Sequence, residues 1–171
     1  MLFKKSNDKK ELLIAIFGAD NVVEEVLLSH TRPTTYIKEN SQRLLQRGIT
    51  KPVNNLFWIA LTNALKDRSQ LAELDWKDTT ASLFDAISNL TIKNDNHNAI
   101  VSDLDSAGFD WDEPAYESLE QFAAVLKKYS LSLMMIEIGS DSLPLFIGDT
   151  ATRDEILSRQ TKDANIALIS S

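Results

Sequence analysis

The densest group of residues able to do chemistry in this sequence is an acidic stretch that contains a single tryptophan. Its members are Asp103, Asp105, Asp110, Trp111, Asp112, Glu113, Glu117 and Glu120. Clustered carboxylates bind hard cations, transfer protons or attract a basic partner. The simplest interpretation is a solvated acidic face, since runs of charge usually lie in water. The alternative is a surface that docks a basic partner, on which Trp111 is either an aromatic anchor or a lid over the core.

The first half of this stretch resembles a calcium-binding loop. With Asp103 as the first position, Asp105 occupies the third and Gly108 the sixth, as such loops require. The pattern then fails, because Ala107 falls at the fifth position and Pro114 falls where a bidentate glutamate is needed. We therefore predict no metal site and no cofactor.

Other catalytic arrangements are absent from the sequence. The chain has no cysteine, which excludes disulfides, thiolate metal sites and a cysteine nucleophile. His30 and His97 do not stand in a metal-ligand or base-plus-nucleophile spacing, and five glycines form no phosphate-binding loop. We predict no catalytic residue, although two carboxyl groups in unequal surroundings could still perform acid-base catalysis.

The charge balance favours a basic partner. The 171 residues carry a formal net charge of -7, which repels nucleic acid and anionic lipid surfaces and attracts positively charged proteins. Four lysines precede the apolar run at 12–17, but the run is too short for a membrane span and lacks a signal-peptide cleavage site. We expect a cytoplasmic protein that binds neither membrane nor nucleic acid.

The elements that must position these side chains follow from apolar periodicity. Helical spacing predicts helices near 12–17, 21–30, 36–47, 54–66, 77–90, 114–126 and 152–159, with capping boxes at Asn21 and Thr152. The helix at 54–66 is apolar on nearly all sides and should form the centre of the core. Residues 91–113 lack regular anchors and predict a long surface connection with a short strand or turn at 99–101.

The pattern changes near the carboxyl end. Two apolar runs at 131–138 and 143–147, separated by turn residues, predict a β-hairpin, and 166–169 predicts a third strand. Pro144 should lie at the start of a strand or on an edge strand. The expected fold class is α+β: a single domain, residues 1–171, with a helix-rich first two thirds packed on a small antiparallel sheet of about three strands.

Three motifs resemble a bacterial family of small domains of unknown function. They are a helix containing Phe57 and Trp58, the triplet Asp75-Trp76-Lys77, and the segment Asp141-Ser142-Leu143-Pro144-Leu145. The similarity covers roughly residues 35 to 150. It implies a shared fold and no catalytic role for any residue. Asp75, Lys77 and Asp141 could be structural or could form a site if their loops converge, and Trp76 is expected to pack into the core.

An interaction protein fits these observations best. Small size, acidity and the missing catalytic motifs favour an immunity or antitoxin-like inhibitor that covers the active site of a basic toxin. An enzyme with a carboxylate site and a regulatory or scaffold protein are the alternatives. The sequence leaves the partner's identity and the oligomeric state open.

Overall fold

A computed structural model describes residues 2–159 and 165–170, with side chains from residue 8 onward within the first of these ranges. Its helices are α1 (Leu2–Phe17), α2 (Asn21–Thr31), α3 (Pro33–Glu39), α4 (Ser41–Gln46), α5 (Leu56–Asp67), α6 (Thr80–Thr91), α7 (His97–Asp105), α8 (Ala115–Lys127) and α9 (Thr150–Arg159). Its strands are β1 (Leu71–Asp75), β2 (Leu131–Ile136), β3 (Ser142–Asp149) and β4 (Ile166–Leu168). The α+β class is confirmed, with helices mostly in the first part of the chain.

The four strands form one antiparallel sheet in the order β1-β3-β2-β4. The predicted hairpin is β2 and β3, with Leu131 opposite Asp149. Pro144 is the third residue of β3, opposite Glu73 of β1, and precedes the residues of β3 that pair with β2. The pairing of β3 with β2 ends at Leu145, and a missing N–H donor is best tolerated where a ladder ends.

Both faces of the sheet are buried. Along β2, Leu133 and Met135 contact one apolar core, while Met134 and Ile136 contact the other. The first core also contains side chains of α6, α7 and α8, and the second contains those of α1, α2, α5 and α9. A strand that alternates between two cores has no polar face, which explains the nearly unbroken apolar run at 131–138.

Helix α5 lies at the centre of the second core, as predicted. Ten of its residues are buried, from Leu56 to Leu65. Trp58 is only 9% exposed and packs edge-on against Phe57, with 5.0 Å between ring centroids. This helix also contacts α2 and β1, and so connects the amino-terminal helices to the sheet.

Three predicted elements differ from the structure. The sheet has four described strands rather than about three, because β1 was missed. The predicted connection at 91–113 contains helix α7, which is anchored by Ile100 and Leu104, both 0% exposed. The helix predicted at 36–47 is two short helices that meet at Asn40. Within the second, Leu44 is 0% exposed and Leu45 is 64% exposed.

The helix caps also differ from the predicted ones. Asp20, not Asn21, caps α2 by accepting the N–H of Val22 at 3.0 Å. Asp149 accepts the N–H of Thr152 at 2.7 Å in the first turn of α9. In both cases a carboxylate close to the helix start satisfies a free N–H group. Among the described residues, no helix is long and apolar enough to cross a membrane.

Candidate functional site

The turn after β1 exposes an aromatic side chain. Asp78 accepts the N–H of Asp75 at 2.7 Å, and Asp75 in turn accepts the N–H of Lys77 at 3.0 Å. These bonds tighten the turn, and Trp76 between them is 48% exposed. The expectation that Trp76 packs into the core was therefore wrong, because the turn directs this residue outward.

This turn lies beside the acidic stretch, and the contacts that join them span 33 to 37 residues of sequence. The N–H of Thr80 donates to the carbonyl of Glu113 at 2.8 Å, and the N–H of Ala115 donates to the carbonyl of Asp78 at 2.8 Å. Thr79 and Pro114 form an isolated antiparallel β-bridge between these two bonds. The two segments are thus joined by their backbones.

A buried hydroxyl pair fixes α6 and α8 beneath this junction. The hydroxyl groups of Thr80 and Ser118 are 2.7 Å apart, and both residues are 0% exposed. Thr80 also donates through its hydroxyl to the carbonyl of Glu113 at 3.1 Å. The backbone beneath the acidic side chains is therefore held by groups that water does not reach.

Two carboxyl groups of the acidic stretch face each other. A hydrogen bond with the carboxyl group of Glu117 raises the pKa of Glu113, and partial burial and the charges of Glu117 and Asp110 act in the same direction. Tyr116 donates its hydroxyl to Glu117 at 2.9 Å, which raises the pKa of the tyrosine as well. Tyr116 is 48% exposed. The arrangement concentrates negative charge around a second exposed ring.

We call this region the acidic surface. It comprises the charged residues and exposed rings of the two joined segments, namely Asp75, Trp76, Lys77, Asp78, Asp110, Asp112, Glu113, Tyr116 and Glu117. Within the described residues, no lysine or arginine forms an ion pair with any of its carboxylates. Carboxylates elsewhere do have such partners: Asp20 pairs with Arg68 at 2.8 Å, and Glu73 with Arg47 at 2.7 Å. The acidic surface is thus a local excess of negative charge.

Trp111 is a lid rather than an exposed anchor. Its ring packs edge-on against Phe84 and Phe109, with centroid separations of 5.4 and 5.7 Å, and the residue is half-buried. Asp110 accepts the N–H of Asp112 at 3.1 Å and so shapes the loop around it. The exposed rings next to the carboxylates are instead Trp76 and Tyr116.

Three other predicted members of the stretch lie on α7 and α8. Asp103 pairs with Lys128 at 3.2 Å on the side of α7 that faces the end of α8. Asp105 is the last residue of α7 and is exposed. Glu120 is exposed on α8, three residues after Glu117, so the two side chains project from the same side of the helix.

The loops of the two sequence motifs do converge. The N–H of Trp76 donates to the carbonyl of Asp141 at 2.9 Å, and Asp75 lies opposite Ser142 in the sheet. The ammonium of Lys77 lies 5.3 Å from the centroid of the Trp76 ring. This convergence adds the exposed Asp141 to the edge of the acidic surface. Nothing in the spacing of Trp76 or Tyr116 distinguishes them from core aromatics, so sequence reasoning missed both.

The carboxylates are spread rather than focused on one point. Among residues 2–159 and 165–170, no group of three or more histidine or acidic side chains is arranged to hold a metal ion. The Glu113 and Glu117 pair can share a proton but offers only two ligand groups. The geometry is that of a charged surface with exposed rings.

A comparison with known families identifies the family of this chain. The model of a domain of unknown function, DUF6630, matches residues 10–168. The chain belongs to this family. The DUF6630 match extends beyond the 35 to 150 range of the motif resemblance, and it confirms that the chain is a member of a small-domain family of unknown function. No curated protein and no solved structure matches this DUF6630 chain.

Proposed function

We propose that this DUF6630 protein is a binding module for a basic protein partner and acts as an immunity or antitoxin-like inhibitor in the cytoplasm. One observation carries the proposal: the backbone junction of Asp78 with Ala115 joins the two segments that carry the half-exposed rings Trp76 and Tyr116, among carboxylates that form no ion pair within the described residues. Exposed aromatic residues surrounded by charge are typical of binding hot spots. A basic active-site cleft would be complementary in charge.

Electrostatics supports a basic partner rather than a neutral one. The crowding of Glu113 and Glu117 costs free energy in the isolated protein, because two negative charges repel each other. An arginine or lysine from a partner would remove that repulsion on binding. The carboxyl pair therefore favours association with a cation, and the net charge of -7 adds long-range attraction.

An enzyme is the alternative that the same carboxyl pair suggests, because two carboxyl groups of unequal pKa can act as acid and base. Such catalysis uses an enclosed site that excludes water. Glu117 is exposed and Glu113 is only half-buried, which favours the binding role. A regulatory or scaffold protein would use the same surface, and the identity of the partner would separate it from an inhibitor.

The test uses the neighbouring gene of the native bacterium. Deletion of the gene for this protein should sensitise the cells to the effector encoded beside it, and the purified pair should form a complex that weakens as salt is raised.

Trp76→Ala and Tyr116→Ala should each weaken the complex about 30-fold or more, and neither variant should restore protection to cells that lack the gene. Leu45→Ala, at an exposed apolar residue on α4, and Glu39→Lys, on α3, are the matched controls and should protect like the wild type. Deletion without sensitisation would disprove the inhibitor role, and full affinity in both aromatic variants would disprove the surface.

A further inference from the structure

The two edge strands of the sheet, β1 and β4, differ in how they are protected from pairing with another chain. Strand β1 carries Glu73 and Asp75, and charged side chains on an edge strand oppose the addition of a further strand. Residues 165–170, which include β4, contain no charged residue and no proline. Strand β4 is therefore the edge that is open to strand pairing.

The hydrogen bonds between β2 and β4 show which backbone groups of β4 face outward. The N–H of Glu137 donates to the carbonyl of Asn165 at 2.6 Å, and the N–H of Ile169 donates to the carbonyl of Leu133 at 3.0 Å. Bonded and non-bonded residue pairs alternate along an antiparallel ladder, so Leu168 directs its N–H and C=O away from β2. None of the described residues forms a hydrogen bond with these two groups. They are available to a further strand.

The side chain of Leu168 is also left partly uncovered. Leu168 lies opposite Met134 of β2, whose side chain belongs to the second core, so the two side chains lie on the same face of the sheet. Met134 is 0% exposed, but Leu168 is 36% exposed. When β4 pairs antiparallel with its own copy about Leu168, the two leucines lie opposite each other, and each covers the apolar surface of the other.

Charged residues at the two ends of this edge favour a second copy as the occupant. Glu137 follows β2 at the end where β4 begins, and Lys127, the last residue of α8, lines a depression of about 90 Å³ with Leu168 and Ile169 at the other end. Both charged residues are exposed, and neither forms an ion pair within the described part of the chain. A twofold antiparallel pairing places the start of each β4 beside the end of the other. It therefore brings Glu137 of each copy towards Lys127 of the other, which is favourable in charge.

We infer that β4 pairs antiparallel with β4 of a second copy of this chain, with Leu168 opposite Leu168 of the partner subunit. Each Leu168 donates its N–H to the carbonyl of the other, and the two sheets join edge to edge into one continuous sheet. The surface is self-complementary, as a twofold dimer requires. The pairing uses a different surface from the acidic surface and does not depend on the function proposed for that surface.

Sedimentation equilibrium of the full-length protein measures the pairing. Because the interface is small, we expect a reversible dimer with a dissociation constant on the order of 100 µM. Leu168→Pro should weaken the dimer about tenfold or more, since proline removes the outward N–H and leaves the bonds to β2 in place. Leu168→Val keeps this N–H and is the control, which should dimerise within about twofold of the wild type. Circular dichroism checks that both variants fold.

A cysteine crosslink tests the register. The chain has no cysteine, so Leu168→Cys introduces a single thiol. In the inferred pairing the two Cα atoms at this position are about 5.5 Å apart, which a disulfide can span, and mild oxidation should yield a linked dimer. Leu45→Cys is the control, because Leu45 is more exposed, at 64%, but lies on α4, which Arg47 connects to Glu73 of β1 at the opposite edge of the sheet. This variant should remain mostly unlinked.

Charge reversal tests the orientation of the two copies. Lys127→Glu and Glu137→Lys should each weaken the dimer about threefold, and the double variant should return to the affinity of the wild type. A wild type that stays monomeric above the expected dissociation constant, or a folded Leu168→Pro variant that dimerises as the wild type does, would overturn the inference. Equal crosslinking of Leu168→Cys and Leu45→Cys, or a double charge variant weaker than either single one, would overturn it as well.

Discussion

Arg47 holds Glu73 through two contacts of 2.7 Å, one from each terminal nitrogen of the guanidinium to each carboxylate oxygen. The Glu73 side chain is only 11% exposed, and Lys66 and the hydroxyl of Ser142 also contact it, each at 3.1 Å. The pair connects the end of α4 to β1 across 26 residues of sequence. A bidentate arginine is the geometry in which an ion pair contributes most to stability.

Removal of this guanidinium should destabilise the protein. Arg47→Ala leaves a largely buried carboxylate with only one cation, and we expect a loss of about 2 kcal/mol in the free energy of unfolding, between the values for exposed and buried pairs. Arg47→Lys should retain only part of the stability, since lysine lacks the planar fork. Urea denaturation measures both, and a loss below about 0.5 kcal/mol in Arg47→Ala would contradict the structural role.

The pH dependence of stability should reflect the same carboxyl group. Burial has the largest single influence on the pKa of Glu73 and would raise it, but Arg47 and Lys66 together outweigh burial and hold the pKa below its usual value. The folded state therefore binds this proton less tightly than the unfolded state. The stabilisation is present above about pH 4.3, the ordinary pKa of glutamate, and is lost as the pH falls further. Thermal unfolding of Glu73→Gln should show a shallower decline below that pH than the wild type.

The ionisation of Glu113 should affect the pH dependence of stability in the opposite direction to that of Glu73. Its pKa is raised by Glu117, so the folded state binds this proton more tightly than the unfolded state, and stability falls as the pH rises past the ordinary pKa. Glu117→Gln should raise the melting temperature at pH 7, and the gain should vanish below about pH 4. Glu120→Gln, three residues along α8, is the matched control. An equal gain in both variants would show that general surface charge, rather than the pair, is responsible.

The fold could be predicted where apolar residues are dense. Helix α5 and the β2–β3 hairpin are apolar on nearly every side, because α5 is buried all round and the hairpin lies between two cores. Strand β1 was missed because it is short and carries Glu73, whose charge is neutralised by Arg47 and Lys66 from elsewhere in the chain. Helix α7 was missed because Ile100 and Leu104 are its only buried residues.

The acidic stretch was visible in the sequence, but its exposed rings were not. The exposure of Trp76 depends on backbone bonds to Asp141 and on the turn closed by Asp78, and neither contact is encoded in apolar spacing. Tyr116 occupies the first turn of α8 beside the buried Ala115, and only the helix phase in the folded protein turns it outward. Long-range backbone pairing therefore determines the exposure of Trp76, and the helix phase determines that of Tyr116.

Substitutions in the buried hydroxyl pair of Thr80 and Ser118 should have non-additive effects on stability. Thr80→Val removes the hydroxyl that bonds the hydroxyl of Ser118 and donates to the carbonyl of Glu113, and we expect a loss of about 1–3 kcal/mol in the free energy of unfolding. The double variant with Ser118→Ala should lose less than the sum of the two single variants, because the second change removes a group already left unsatisfied. Ser82→Ala, on the same helix, should change stability by less than about 0.5 kcal/mol. Additive losses in the double variant would contradict the coupling.

Two serines with left-handed backbone should be improved by glycine. Ser69 follows α5 with φ of 56°, and Ser130 follows α8 with φ of 59°. A side chain in this conformation costs roughly 1–2 kcal/mol, while glycine adopts it freely but loses more entropy on folding. Ser69→Gly and Ser130→Gly should therefore each stabilise the protein by about 0.5–1 kcal/mol in urea denaturation. Ser106, at the end of α7, has φ of -85°, so Ser106→Gly should instead destabilise by a similar amount. A gain in all three variants would show that the backbone conformation is not the cause.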